Sequence, residues 1–161
     1  GDVLDVDHVR SSAMAVRRSA YDMAGGFFEP YTVKGDGYRC ETEFWLQVRR
    51  SGYAVKFSAR DPQVLHKQSP RVASYGRGGI DPDYLESTGR NNTFFFLRNY
   101  WGRAGSPVFL AWDLLVGNTS QPGIVRLLKA GHWRPSTHWH AVKGKLLGMK
   151  MFWHYGPAAA R

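Results

Sequence analysis

From Val9 to Val16 small and larger residues alternate, with Ser11, Ala13 and Ala15 on one side and Arg10, Ser12 and Met14 on the other. A period of two predicts a strand. Ser19 is placed to cap a short helix over Ala20–Ala24, and Gly25-Gly26 to stop it, because glycine takes a left-handed backbone without steric cost. Pro30, Gly35 and Gly37 break the stretch Glu29–Arg39 into a mobile loop. The clearest helix runs from Glu41 to Ser51. It opens on two carboxylates, closes on Arg49-Arg50 before Gly52, and carries Phe44, Trp45 and Val48 as its buried stripe. Tyr53–Ser58 and Gln63–His66 read as short strands around an Asp61-Pro62 turn.

Beyond His66 the pattern changes. Lys67–Arg90 holds Pro70, Gly76, Gly78-Gly79, Pro82 and Gly89, which predicts a long basic loop, either a lid or binding segment or a merely flexible linker. The remainder reads as helical: an aromatic helix over Asn92–Trp101, one from the Ser106-Pro107 cap to Val116, and two more over Pro122–Ala130 and Thr137–Trp153. The chain thus divides into residues 1–67, a loop over 68–90, and a helical extension over 91–161. Phe94, Phe95, Phe96, Tyr100 and Trp101 lie so close together that they must be covered by protein or lie against lipid.

Composition narrows the classes. With 161 residues, 43% of them hydrophobic and 22% charged, the chain is globular. At that size about two thirds of the unfolded surface is buried on folding. The 22 Lys and Arg outnumber the 13 Asp and Glu, giving a net charge of +9. That balance attracts anionic lipid, phosphorylated small molecules or nucleic acid. Nucleic acid is the weakest of these, because the basic residues are scattered in pairs such as Arg17-Arg18 and no zinc-finger or RNA-binding signature is present. A single cysteine, Cys40, excludes an internal disulfide and suits a reducing compartment. The first residues, Gly1-Asp2-Val3-Leu4-Asp5, do not look like a signal peptide and lack an initiator Met, so the chain is expected to be a piece of something longer. The longest apolar run, Val108–Val116, is interrupted by Asp113 and falls short of the roughly 20 residues that cross a bilayer. A cytoplasmic location, with peripheral contact at the inner face of a membrane, is the expectation.

The order Gly25-Gly26-Phe27, then Cys40-Glu41-Thr42-Glu43-Phe44, Arg49, Gly52-Tyr53 and finally Leu65-His66 resembles the acceptor-side half of a family 2 glycosyltransferase of the GT-A type. The family's pattern there is Glu-Asp-Thr-Asp/Glu-Phe followed by an Arg and a Gly-Tyr. This chain departs from it in having Cys40 where an acid is usual and Glu41 for Asp. The resemblance covers about residues 7–67, and it implies an α/β fold: the C-terminal half of a GT-A core followed by a mostly α-helical region. It also implies an inverting transfer of a sugar from a nucleotide-diphospho-sugar donor to the hydroxyl of a glycan or lipid-linked acceptor.

Such a reaction needs a carboxylate that takes the acceptor proton, and the resemblance gives that role to Glu41. A carboxylate at a helix start also stabilises the dipole by roughly 0.3 to 1 kcal/mol with no catalytic role. Glu43, two positions on, faces elsewhere and is an accessory or structural residue, while Gly25 and Gly26 belong to the acceptor side. The resemblance makes His66 a contact for the diphosphate or for a divalent metal, manganese or magnesium, that the complete enzyme would carry. Arg71, Arg77 and Arg90 could clamp phosphate. Asp5-Val6-Asp7 has the form of a metal-binding Asp-x-Asp but lies too close to Gly25-Gly26 to be the family's motif. The principal metal ligands are therefore expected in an N-terminal half that these residues lack, and the chain by itself is expected to be inactive. His132, His138 and His140 lack the cysteines of a zinc site, and Cys40 lacks the partners of a nucleophile. A different class stays open: a non-catalytic, basic, aromatic-rich module that binds anionic lipid or a phosphorylated glycan.

Overall fold

The computed structural model describes residues 3–9, 14–33, 37–58, 81–118, 121–129 and 134–158. The chain divides into two compact units, Gly1–Ser69 and Pro70–Ala160. It is mostly helical, with one small two-stranded sheet among the described residues.

In the first unit β1 (Val3–Asp5) pairs antiparallel with β2 (Lys56–Ser58), Asp5 opposite Lys56. The helices are α1 (Arg18–Ala24) and α2 (Cys40–Arg50). Three expectations need correction. The strand over Val9–Val16 is absent from its described residues, and the strand that forms lies earlier. Instead of joining a ladder, this segment is tied to α2 by Trp45 Nε1, which donates to the Val9 carbonyl at 2.8 Å. Ser19 caps nothing. The helix begins at Arg18, whose guanidinium meets Asp22 one turn on at 2.8 Å. The expected loop over Glu29–Arg39 contains a 3-10 turn at Glu29–Thr32, fixed by the complete burial of Tyr31. The predicted stripe of α2 is buried, Phe44 and Val48 almost fully, and it packs with Ala24 and Val55 as the core of the unit.

The second unit contains α3 (Pro82–Tyr100), α4 (Ser106–Leu115), α5 (Ile124–Lys129) and α6 (Pro135–Tyr155). The loop expected over Lys67–Arg90 is therefore too long. Asp81 accepts a hydrogen bond from the Asp83 N–H and Pro82 occupies the first helical turn, a strong start signal, so residues 82–90 are helix and mostly buried. The α3 and α4 helices form an antiparallel hairpin in which Phe96 stacks on Phe109 with ring centroids 3.6 Å apart.

The α3 and α6 helices lie side by side in the same direction. Gly144 sits on the Glu86 backbone, Gly148 on Arg90 and Thr93, and Tyr155 edges against Phe94. A Cβ at Gly144 would overlap the Glu86 carbonyl oxygen, and one at Gly148 would lie 2.5 Å from the Arg90 carbonyl oxygen. Backbone cannot swing aside as a side chain can. Gly148→Ala is thus expected to destabilise the unit by about 2 kcal/mol, the overpacking cost exceeding the roughly 1 kcal/mol that alanine adds in helix propensity. Urea denaturation followed by circular dichroism measures this, and a stabilised variant would show that the two helices do not touch there.

Candidate active site at the start of helix α2

The site is built by two turns in the first unit. At the end of α1, Gly25 and Gly26 both take positive φ, 81° and 69°. The Gly26 N–H donates to the Tyr21 carbonyl and the Gly25 N–H to the Asp22 carbonyl, at 3.0 and 3.1 Å. These two bonds make a Schellman stop that satisfies the Tyr21 and Asp22 carbonyls in the last turn of the helix. Gly26 has a second constraint, since a Cβ there would come within 2.8 Å of the Tyr21 hydroxyl. The stop delivers Phe27 onto α2, where its ring lies 4.5 Å from that of Phe44. Two motifs that are separate in sequence, Gly25-Gly26-Phe27 and Cys40–Phe44, therefore meet in one packed corner.

The entry to α2 is strained. Arg39, just before the helix, has φ of 71°, the left-handed region that a residue with a Cβ occupies at some cost. Its guanidinium stands 5.2 Å from the Tyr38 ring centroid. The first turn then carries Glu41 and Glu43, and the structure treats them differently. Glu41 is partly exposed, whereas Glu43 is 2% exposed. The Glu43 carboxylate accepts from Gln47 Nε2 at 2.9 Å and from the buried Tyr31 hydroxyl at 3.4 Å. Glu43 thus holds the 3-10 turn against α2. Glu41, two residues earlier and about 200° around the helix, faces another side.

Cys40 opens the helix but is only 8% exposed. Burial pushes its thiol up from the ordinary range, and the neighbouring carboxylates of Glu41 and Glu43 add to the shift. A thiol held protonated is a poor nucleophile, which agrees with a packing role.

Asp5 and Asp7 engage cations of the protein itself. Asp5 meets Lys56 at 2.9 Å and Asp7 meets Arg49 at 3.1 Å, both on exposed surface. Arg49 also donates to the Val6 carbonyl at 2.9 Å, so this motif residue ties the β1 segment to the end of α2. Among the described residues no three His, Cys, Asp or Glu side chains come together as a metal site. His66, Arg71 and Arg77, and the strand expected over Gln63–His66, lie outside the described residues.

Arg90 is not held out to solvent as an exposed phosphate clamp would be. It is in α3, 4% exposed, and its Nε donates to Asn91 Oδ1 at 2.9 Å. Asn91 and Asn92 are buried beside it, so the Asn-x-Thr sequence they begin is no accessible glycosylation site.

Sequence reasoning missed a set of buried charges in the helical unit. Glu86 lies 2.8 Å from Lys143 Nζ and 3.2 Å from His140 Nδ1. Asp113 is held by Lys145 at 2.8 Å and by Asn92 Nδ2 at 3.3 Å. One signal was available: Asp113 stands alone inside an apolar run, where an unpaired carboxylate would be costly.

A scan of protein-family models, a search of curated proteins and a search of solved structures each find no match for this chain.

Proposed function

We propose that this chain is the acceptor-side part of an inverting glycosyltransferase of the GT-A type, with Glu41 as its base. The observation that carries the reading is the corner at the start of α2, where a partly exposed carboxylate opens the helix on which Phe27, delivered by the Schellman turn, is packed. Glu41 removes the proton from an acceptor hydroxyl while that oxygen bonds to the anomeric carbon. The carbon–oxygen bond to the diphosphate breaks on the opposite face, and Glu41 is left as a carboxylic acid. Glu43 keeps the helix start in register through Tyr31 and Gln47. Gly25 and Gly26 shape the acceptor side.

In this reading the nucleotide-binding strands and the principal metal ligands belong to a longer parent protein or to a second chain. The described residues form no metal site of their own. The test is release of nucleoside diphosphate from a panel of nucleotide-diphospho-sugars in magnesium-containing buffer, measured on the parent and on these 161 residues alone. The parent is expected to turn over and the shorter chain not to. Transfer by the shorter chain would overturn the division of labour, and a parent inert toward every donor would overturn the transferase reading itself.

A further inference from the structure

Two helices of the second unit, α4 and α6, are inverted relative to a helix in water, where the apolar stripe faces inward and charges face out, whereas α3 and α5 bury Leu85, Phe94, Leu97 and Leu127 in the ordinary way. In α6 the side toward α3 carries Gly144 and Gly148, and Lys145 beside them turns to Asp113 of α4, all three buried. The opposite side carries Trp139, Leu146, Met149 and Trp153, with Trp139 58% and Trp153 80% exposed. Their spacings of seven, three and four residues place them on one stripe. The α4 helix repeats the inversion, burying Ser106 and Asp113 while Val108, Trp112 and Leu115 stand out.

Water penalises this arrangement, and a lipid surface does not. Helices that pack in lipid meet through small residues, turn ionisable groups toward one another and present apolar groups outward. Yet no helix among the described residues is long and apolar enough to cross a membrane. An outward stripe with tryptophan suits contact from one side, the tryptophans at the boundary between headgroups and acyl chains.

Charge names the kind of surface. From Trp101 to Arg161 the sequence contains one acidic residue, Asp113, and it is buried against Lys145. The exposed charges over that stretch include Arg103, Arg126, Lys129, Arg134 and Lys150. Lys150 lies within the outward stripe of α6 itself.

We propose that the helical unit docks on an anionic phospholipid bilayer through the outward stripe of α6, its tryptophans entering the interface and its basic residues meeting lipid phosphate. The proposal stands whether or not Glu41 is a base. The experiment is flotation of the 161-residue chain with phosphatidylcholine vesicles containing or lacking phosphatidylglycerol, together with quenching of tryptophan fluorescence by brominated lipid. The chain is expected to float with the anionic vesicles and to bind neutral ones at least tenfold more weakly. Lys150→Ser is expected to lower binding about fivefold, the weight of one charge near such a surface. The double variant Trp139→Ser/Trp153→Ser should lower it at least tenfold while circular dichroism is unchanged, since both side chains are exposed. Leu146→Ser is a second, milder probe of the same stripe. Equal binding to neutral vesicles, or undiminished binding by the tryptophan variant, would overturn the proposal. So would a dimer in sedimentation that the same variant dissolves, because the stripe would then be an interface between copies.

Discussion

If Glu41 is the base of the proposed transferase, Glu41→Gln in the active protein is expected to lower turnover by about 10² to 10⁴ while donor binding stays nearly unchanged, since a positioned base contributes roughly that much to the rate. The loss corresponds to about 3 to 5 kcal/mol of transition-state stabilisation, with none from the ground state. Glutamine keeps the size of the side chain and a hydrogen-bonding oxygen but cannot accept the proton, so the variant isolates chemistry from shape. Helix stability should barely change, because a first-turn carboxylate contributes at most about 1 kcal/mol through the dipole. Glu43→Gln is the informative contrast. Its side chain is buried against Tyr31 and Gln47, so its replacement should act on stability before turnover. Progress curves at saturating donor and acceptor, with a separate donor titration, measure both variants. Turnover of Glu41→Gln within threefold of the parent, or a large loss only in Glu43→Gln, would remove Glu41 from the reaction.

The parts of the fold that could be read in advance are those whose cause is local. The α2 helix is announced by its own carboxylates, its basic end and Gly52, and its buried stripe needs only the helical period. The glycine stop after α1 is equally local, because two positive φ angles in succession favour glycine. The α4 helix begins where Ser106-Pro107 predicts, but Ser106 is not its cap: Gly105 holds that place, and the Ser106 hydroxyl donates to the Tyr100 carbonyl instead.

What could not be read depends on partners distant in the chain. β1 pairs with β2, and nothing near Val3–Asp5 announces it beyond an aspartate whose lysine partner sits opposite. The first half of α3 looked like loop because Gly89 and a run of polar residues weaken a helical pattern. In the structure Gly89 is where the chain comes close, a Cβ there falling 2.9 Å from Gln121 Oε1. The polar residues are buried because other elements supply their partners: Gln121 Nε2 donates to Thr88 Oγ1, and Lys143 meets Glu86. For the candidate site the same division holds. Glu41 is legible as a helix-start acid and Glu43, two positions on, as facing elsewhere, but what holds Glu43 is the buried Tyr31, which no local pattern gives.

Lys145→Met is expected to destabilise the helical unit by about 3 to 5 kcal/mol, because removing one member of a buried ion pair leaves its partner charged and poorly compensated. Lys145 and Asp113 are 7% and 6% exposed at their side chains, and their contact at 2.8 Å is supplemented by a second hydrogen bond from the ammonium to the Asp113 carbonyl. After the change Asp113 would retain Asn92, a neutral donor 3.3 Å away, as its side-chain partner from this network. A domain's whole stability is of the order of 5 to 15 kcal/mol, so the loss would approach unfolding. Lys145→Met combined with Asp113→Leu should recover most of it, since an apolar pair of similar volume carries no desolvation cost. That recovery separates the pair's own attraction from the penalty of an orphaned charge, which a single variant cannot do. Urea denaturation of the four chains in the cycle gives the answer. A loss under about 1 kcal/mol in Lys145→Met would place the pair in solvent, in the range measured for surface ion pairs. The inversion of the helical unit would then lose its ionic interior, and the outward tryptophans would be left to be explained without it.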